Sequence, residues 1–516
     1  MRSKIKPLVL IVVFLLAAFL RIIPLIHNGV FFGFDQGLDM IMVKQLVVDH
    51  KLNLISRYSG LEGVLMGPLW TWFLAVPFLL SGGNPAANML YLVIFSLAAT
   101  VAAYFIVRRI WGEKEAVATY IFLLLSPHFI GGSQVVLSPL PLAYLFFFFI
   151  WCAYEIMVNR RDVFWLLWWL LVGVFFQLEI GFAVFTLPVI LALLLIFKKT
   201  NTLKSRYFFL GLGILLLTFL PQVIFDIRHR FLMANSLLHF LTGENRSLYG
   251  SALPLYLRFW ERAKTMAADF IQMAMPLSAW YFILPVTLLA LWGWITAYRQ
   301  KLVPCLNVLK ILLTVLAVFY LGFSLYPGPL WAWYRAGLPV VYALLIVIPF
   351  AVLWQSANLT RYLILGLSIW GLSASLVSGE GLAGLTNPGP GDTGTLRNQI
   401  RVVDYVYHSA GGNKFAFFAY TPPVYDYIWQ YDFYWYGRKT YGYAPQNLNV
   451  AVPPLGIGEQ VKIPRKIGGL YYLILEPDRD RPAARAEWQK GLQRMGKILE
   501  QKDFPGNISV VKLEGI

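Results

Sequence analysis

PLVLIVVFLLAAFLRIIPLI, Pro7 to Ile26, is followed seven residues later by FDQGLDMIMVKQLVVDH, Phe34 to His50. The first stretch is apolar for about the length needed to cross 30 Å of hydrocarbon, and no convincing small-residue cleavage site follows it, so it reads as an uncleaved span. The second places Leu38, Ile41, Met42 and Leu46 at helical spacing among charges, the pattern of an amphipathic helix at the membrane surface. Working outward, apolar runs of span length begin near Pro7, Ala86, Glu115, Pro139, Val163, Phe182, Tyr207, Pro276, Ile311, Ala336 and Tyr362. Eleven membrane helices are therefore expected. GPLWTWFLAVPFLL, from Gly67 to Leu80, is too short and too interrupted by Pro68 and Pro77 to be a twelfth, and suits the outer interface.

Composition agrees. Of 516 residues 58% are apolar and only 13% charged, about half the charge of an ordinary soluble domain, which excludes a purely cytosolic globule. The net charge of +17 accompanies no nucleic-acid motif and follows topology instead. With the N-terminus in the cytoplasm, the 47 residues of the inner segments carry 16 Lys and Arg, whereas the 136 of the outer segments carry 10. That bias predicts a multi-pass protein of a plasma or inner membrane, N-terminus inside and C-terminal region outside. Residues 1–378 form the membrane domain, with a first outer loop at 27–85 that carries interfacial helices; 379–394 is a Gly/Pro linker; 395–516 reads as a soluble extracytoplasmic α/β domain. Cys152 and Cys305 are too few and too apolar in setting for a disulfide framework or a metal site.

Charges at the outer boundary that topology leaves unexplained mark candidate chemistry. Asp35 opens the first outer helix and Asp39 lies one turn on, so the pair reads either as a general base with a supporting acid or as a cap and a dipole partner. In DIRHRF, after span seven, Arg228, His229 and Arg230 suit a phosphate or lipid headgroups equally. Arg57 in SRYSG reads as a solvated loop arginine or a further phosphate contact. Gln177 and Glu179 occupy a very short outer turn, where a carboxylate faces either water or a cavity. Trp70, with Trp72 and Phe73, and the segment WAWYRAGLP with Tyr334 and Arg335 fit an aromatic belt as well as sugar stacking. HExxH, GxSxG and P-loop motifs are missing, which removes support from hydrolase and nucleotide-using readings.

The order of these pieces is a first span, an outer DQxxD helix, a GPLxxW segment ending in FLLSGGNP, a span closed by VRRIWG, then FDIRHRF after span seven. It resembles the GT-C superfamily of polyprenyl-phosphate-sugar glycosyltransferases, in the branch of protein O-mannosyltransferases and the lipid A aminoarabinose transferase, over roughly residues 7–350. The resemblance implies a membrane enzyme that moves a sugar from a polyprenyl-phosphate donor, on the extracytoplasmic face and with inversion, to a hydroxyl of a lipid, glycan or protein acceptor. It implies Asp35 as catalytic base with Asp39 in support, donor phosphate held by Arg57, Arg228, His229 and Arg335, and a sugar or acceptor pocket that includes Glu179, Gln177, Trp70 and Tyr334. Gln36 replaces the glutamate of the Asp-Glu pair common in mannosyltransferases, and Met66 stands where the aminoarabinose branch has a lysine. No cofactor is assigned; a divalent metal is compatible with the family, but no ligand set is evident. The rival classes are a lipid or glycan transporter or flippase, which calls for paired broken helices and midplane charges, and a non-enzymatic glycan-binding surface protein.

Overall fold

The computed structural model describes residues 7–26, 28–61, 63–242, 253–274, 283–354, 393–422, 425–448, 469–493 and 496–515. The first expected span is helix α1, Pro7–Ile26. The loop after α1 contains α2, Phe34–Val47, and α3, Leu69–Ser81. The chain then runs through α4, Pro85–Ile110; α5, Glu113–Leu125; α6, Pro127–Gln134; α7, Leu142–Met157; α8, Phe164–Leu178; α9, Ile180–Ala183; α10, Thr186–Ile196; α11, Arg206–Thr218; α12, Leu220–Arg228; and α13, Leu232–Thr242. The amphipathic α14, Leu255–Ala274, precedes α15, Ile283–Arg299; α16, Val303–Leu325; and α17, Pro339–Leu353.

Helices thus stand at ten of the eleven expected places, and the run near Tyr362 lies outside the described residues. By length and composition α1, α4, α16 and the stretch Ala332–Leu353 suffice to cross a membrane, and the bent pairs α5 with α6 (52°) and α11 with α12 (46°) raise the number to six. The remaining apolar helices are shorter, so the structure supports a multi-pass bundle without fixing eleven crossings. Prolines account for several interruptions. Pro127 has no N–H to offer the carbonyl one turn back, and the bend it marks separates α5 from α6.

That break is repaired by a charge overlooked in the sequence. Arg21, fully buried in α1, donates through Nη1 to Leu124 O at 2.6 Å and through Nη2 to Leu123 O at 3.1 Å, the carbonyls orphaned at the end of α5. Gln134 at the end of α6 returns the contact by donating to Leu20 O. A buried arginine in the first span is therefore a cap for a broken neighbour.

In the C-terminal region, α18 (Leu396–Ala410), α19 (Tyr427–Asp432) and α20 (Pro482–Gln493) accompany strands β1 (Phe415–Tyr420), β2 (Gln446–Asn447), β3 (Leu470–Leu475), β4 (Gly496–Phe504) and β5 (Ile508–Gly515). The strand order is β2-β1-β3-β5-β4; β1 pairs in parallel with β2 and β3, and β5 is antiparallel to β3 and β4. Val402, Val403, Val406 and Tyr407 bring the apolar face of α18 onto this sheet.

This domain is clamped to the loop between α1 and α4. Leu396 N donates to Val30 O, Phe32 N to Gly394 O, Gln399 Nε2 to Phe32 O, and the Tyr431 hydroxyl to Gly83 O. At Gly37 a Cβ would fall 2.7 Å from Ile428 N, so only glycine lets α2 and α19 approach this closely. As a result α2 is buried along Gln36–Met40 rather than lying on the surface as its pattern suggested.

Replacing Arg21 by Met keeps the apolar stem but strands two buried carbonyls. We expect a loss of about 2 kcal/mol or more, read as a lowered unfolding temperature in detergent. A wild-type melting curve for a fully folded variant would rule out the capping role.

Candidate active site

The centre of the site is Arg57, whose residue is only 9% exposed. Its backbone is held in a narrow ribbon by Ser56 N to Met66 O and Met66 N to Arg57 O. The guanidinium bridges two carboxylates of α2: Nη1 lies 3.0 Å from Asp35 Oδ1 and Nη2 lies 3.3 Å from Asp39 Oδ2. Nη2 also lies 3.3 Å from Ser138 Oγ. Asp39, 1% exposed, accepts a second bond on Oδ2 from the Trp70 indole N–H at 2.7 Å. Asp35 differs from Asp39 in one respect that decides its use: 47% of its side chain is open to solvent.

Local sequence explains the placement. The α2 N-cap is Gly33, not Asp35; Gln36 Oε1 accepts from Gly33 N while its amide donates to Val136 O at 2.9 Å. Gln36 thus closes the first turn of α2 and ties it to the segment that delivers Ser138, work a glutamate's acceptor-only side chain would not do. Asp35, one position earlier, is released from capping to face Arg57.

Burial pushes the Asp39 carboxyl up to about 6, against the opposing pull of Arg57 and the Trp70 bond. Burial likewise raises Glu179, 3% exposed in the outer turn, to about 7, although Gly181 N donates to it and Arg57 is near. The cluster therefore holds one cation against three acids in a largely water-free setting.

The other sequence candidates divide. Trp70, Gln177, Glu179 and Tyr334, expected in a sugar or acceptor pocket, are all buried and stand behind the cluster. Gln177 donates to Thr218 O and to Gln222 Oε1, both at 2.7 Å, and Gln222 donates on to Leu65 O, which fastens the Arg57 ribbon to α8 and α12. The Tyr334 ring occupies the space over Gly181, and its hydroxyl fills that over Gly60. Arg335 does not join the cluster: Asp269 of α14 holds it bidentately at 2.5 and 3.0 Å, and Leu330 O and Trp331 O take its other hydrogens. His229 stacks on Phe225 and pairs through Nδ1 with Phe225 O, while Arg228 and Arg230 are exposed. Phe225, one turn before Arg228, packs with Ile55 and Leu65 on either flank of Arg57, so the DIRHRF turn abuts the loop of the site.

Ser138, Asp269 and Gln222 had no signal in the sequence, since nothing local marks a serine, an aspartate or a glutamine whose partner lies many tens of residues away. Among the described residues no three His, Cys, Asp or Glu side chains converge as a metal ion requires; Arg57 occupies the space between the acids.

With this geometry in view, similarities to known proteins can be placed. Residues 66–225 match the family described as dolichyl-phosphate-mannose-protein mannosyltransferase. Among solved structures, ArnT from Cupriavidus metallidurans bound to undecaprenyl phosphate superposes with a TM-score of 0.59 at 14% identity, covering 98% of this chain and 97% of that one. Its apo form gives 0.57 at 12% identity, with 98% and 97% covered. The Archaeoglobus fulgidus oligosaccharyltransferase in complex with Zn and sulfate gives 0.51 at 11% identity, covering 98% of this chain and 73% of that one. No curated protein matches the chain. The fold is that of the GT-C membrane glycosyltransferases. The family match covers residues 66–225, and the likeness of fold extends over nearly the whole chain.

The raised Asp39 has a consequence for stability. In the unfolded chain Asp39 ionises near its ordinary value of 3.8, but the folded protein keeps the proton until about 6. The folded state is therefore favoured below pH 4 and loses this contribution as pH rises through 6, by on the order of 3 kcal/mol. Melting temperatures across pH 4 to 7 should fall less steeply in Asp39→Asn than in wild type; parallel slopes would refute the buried acid.

Proposed function

We propose that this chain transfers a sugar from a polyprenyl-phosphate donor to an acceptor hydroxyl at the outer face of a plasma or inner membrane, with inversion at the anomeric carbon. The observation that carries the proposal is the asymmetry of the two acids on Arg57: Asp39 is enclosed and Asp35 is half open, so Asp35 alone can meet a substrate. As general base it accepts the proton of the acceptor hydroxyl while that oxygen bonds the anomeric carbon. The bond from that carbon to the phosphate oxygen breaks on the opposite side, and the lipid phosphate departs with the electron pair.

Arg57 orients Asp35 through the 3.0 Å ion pair; Asp39, Trp70 and Ser138 orient Arg57. Because Arg57 is already matched by two carboxylates, we assign the departing phosphate to the exposed Arg228 and Arg230 of the adjoining turn, where guanidinium donors meet phosphate oxygens well. The ArnT neighbour binds undecaprenyl phosphate, which supports a lipid-phosphate donor for this fold. Of the two signs of a transporter, broken helices are met by the bent pairs α5–α6 and α11–α12, but the buried Arg21 of the first span is used up as a cap. In this reading the N-terminus is cytoplasmic and the C-terminal domain extracytoplasmic.

The test is transfer in detergent from a panel of polyprenyl-phosphate sugars. Asp35→Asn keeps the shape of the side chain and removes its basicity, and should cut the rate roughly a hundredfold or more with folding and donor binding intact. Near wild-type transfer by a folded Asp35→Asn would defeat the mechanism. Arg228→Ala should lower transfer or raise the donor KM by an amount equivalent to about 2 kcal/mol.

Orientation is checked separately. A cysteine at the exposed Lys414, in the turn after α18, should react with an impermeant thiol reagent in intact cells; protection there would invert the topology.

A further inference from the structure

Behind Asp39 lies a small cavity of about 10 Å³, lined by Phe31, Phe32, Gln36, Asp39, Leu74, Pro85, Asn88 and Val136. Its walls are apolar apart from Gln36, Asp39 and Asn88. Two acceptors in these walls have no protein partner among the described residues: Asp39 Oδ1, the oxygen turned away from the Arg57 and Trp70 bonds, and Asn88 Oδ1. Asn88 stands in the second turn of α4, 3% exposed, with its amide nitrogen turned to Met40 Sδ. Burying two bare acceptors is costly, and once Asp39 is ionised they cannot bond to each other because neither then carries a hydrogen. The space is near the lower limit for one water and far too small for a sugar or a phosphate.

We propose that this cavity is a binding site for a single water, which donates one hydrogen to Asp39 Oδ1 and the other to Asn88 Oδ1, and that Asn88 is thereby a positioning residue for the acid cluster. The Gln36 amide, which spends one hydrogen on Val136 O, has a second to offer the water oxygen. The second span then reaches Asp39 through the water, Asp39 fixes Arg57, and Arg57 fixes Asp35. A donor on Oδ1 also favours the ionised form of Asp39. The charges acting on Asp39 are Arg57 from the loop and Asp35 from its own helix; α3 adds the Trp70 indole, α4 the neutral Asn88, and α19 presents Tyr427 and Ile428 to the Gly37 side.

The test reads Asp39 directly and requires no sugar transfer, so it stands or falls apart from the proposed activity. The pH at which Asp39-linked stability is lost is taken from melting curves of the full chain in detergent, with Asp39→Asn as the blank. Asn88→Leu fills the cavity and removes the acceptor, and should move that pH upward by about one unit; Asn88→Ser keeps a hydroxyl and space, and should leave it close to wild type. An unchanged titration in a folded Asn88→Leu, or an equal shift in both variants, overturns the proposal. If Asn88→Leu does not fold, a high-resolution density map of the unaltered protein decides. Solvent density at hydrogen-bond distance from both Asp39 Oδ1 and Asn88 Oδ1 supports the site, and its lack at that position refutes it.

Discussion

A guanidinium held between two carboxylates in a nearly dry setting is the constraint around which this end of the molecule is arranged. Removing Arg57 and Asp39 from water costs several kcal/mol each before any attraction is counted, so the pair persists only where every remaining bond is well made. Much of the surrounding structure can be read as meeting that condition. Trp70 and Ser138 complete the polar shell, Gln36 sets the first turn of α2, and the Gln177–Gln222 pair pins the loop from which Arg57 projects.

The same logic operates within the bundle. Bent and broken helices leave carbonyls without partners, and nonpolar surroundings make each expensive. Arginines supply the missing donors: Arg21 at the end of α5, and Arg258 and Arg262 at the end of α16, where they reach Leu325 O, Phe323 O and Gly328 O. Arg335 is held by Asp269 from the same amphipathic α14. Several basic residues of this region therefore repair the scaffold, whereas Arg228 and Arg230 are exposed and are the cations we assign to an incoming phosphate.

The C-terminal domain gains a role from its placement. By covering α2 through Gly37 and fixing the segment Val30–Phe32, it buries the face opposite Asp35 and leaves that one acid open. A domain that seemed separate in sequence, joined by a Gly/Pro linker, is in the fold packed on the back of the helix that carries Asp35 and Asp39.

Hydrophobic run length and the distribution of Lys and Arg were enough to recognise a multi-pass bundle with a mixed α/β domain after it, because membrane insertion acts on local composition. The acids Asp35 and Asp39 stood out for a related reason: a charge beside an apolar span is costly and conspicuous. What stayed hidden depends on partners distant in the chain. Arg57 looked like a solvated loop residue because nothing in SRYSG reveals the two carboxylates waiting on α2. Arg335 looked free because Asp269 lies 66 residues away. Trp70 fitted an aromatic belt until its indole was found on Asp39. Burial decides whether a polar group is a reagent, a support or a cap, and burial is a property of the packed chain.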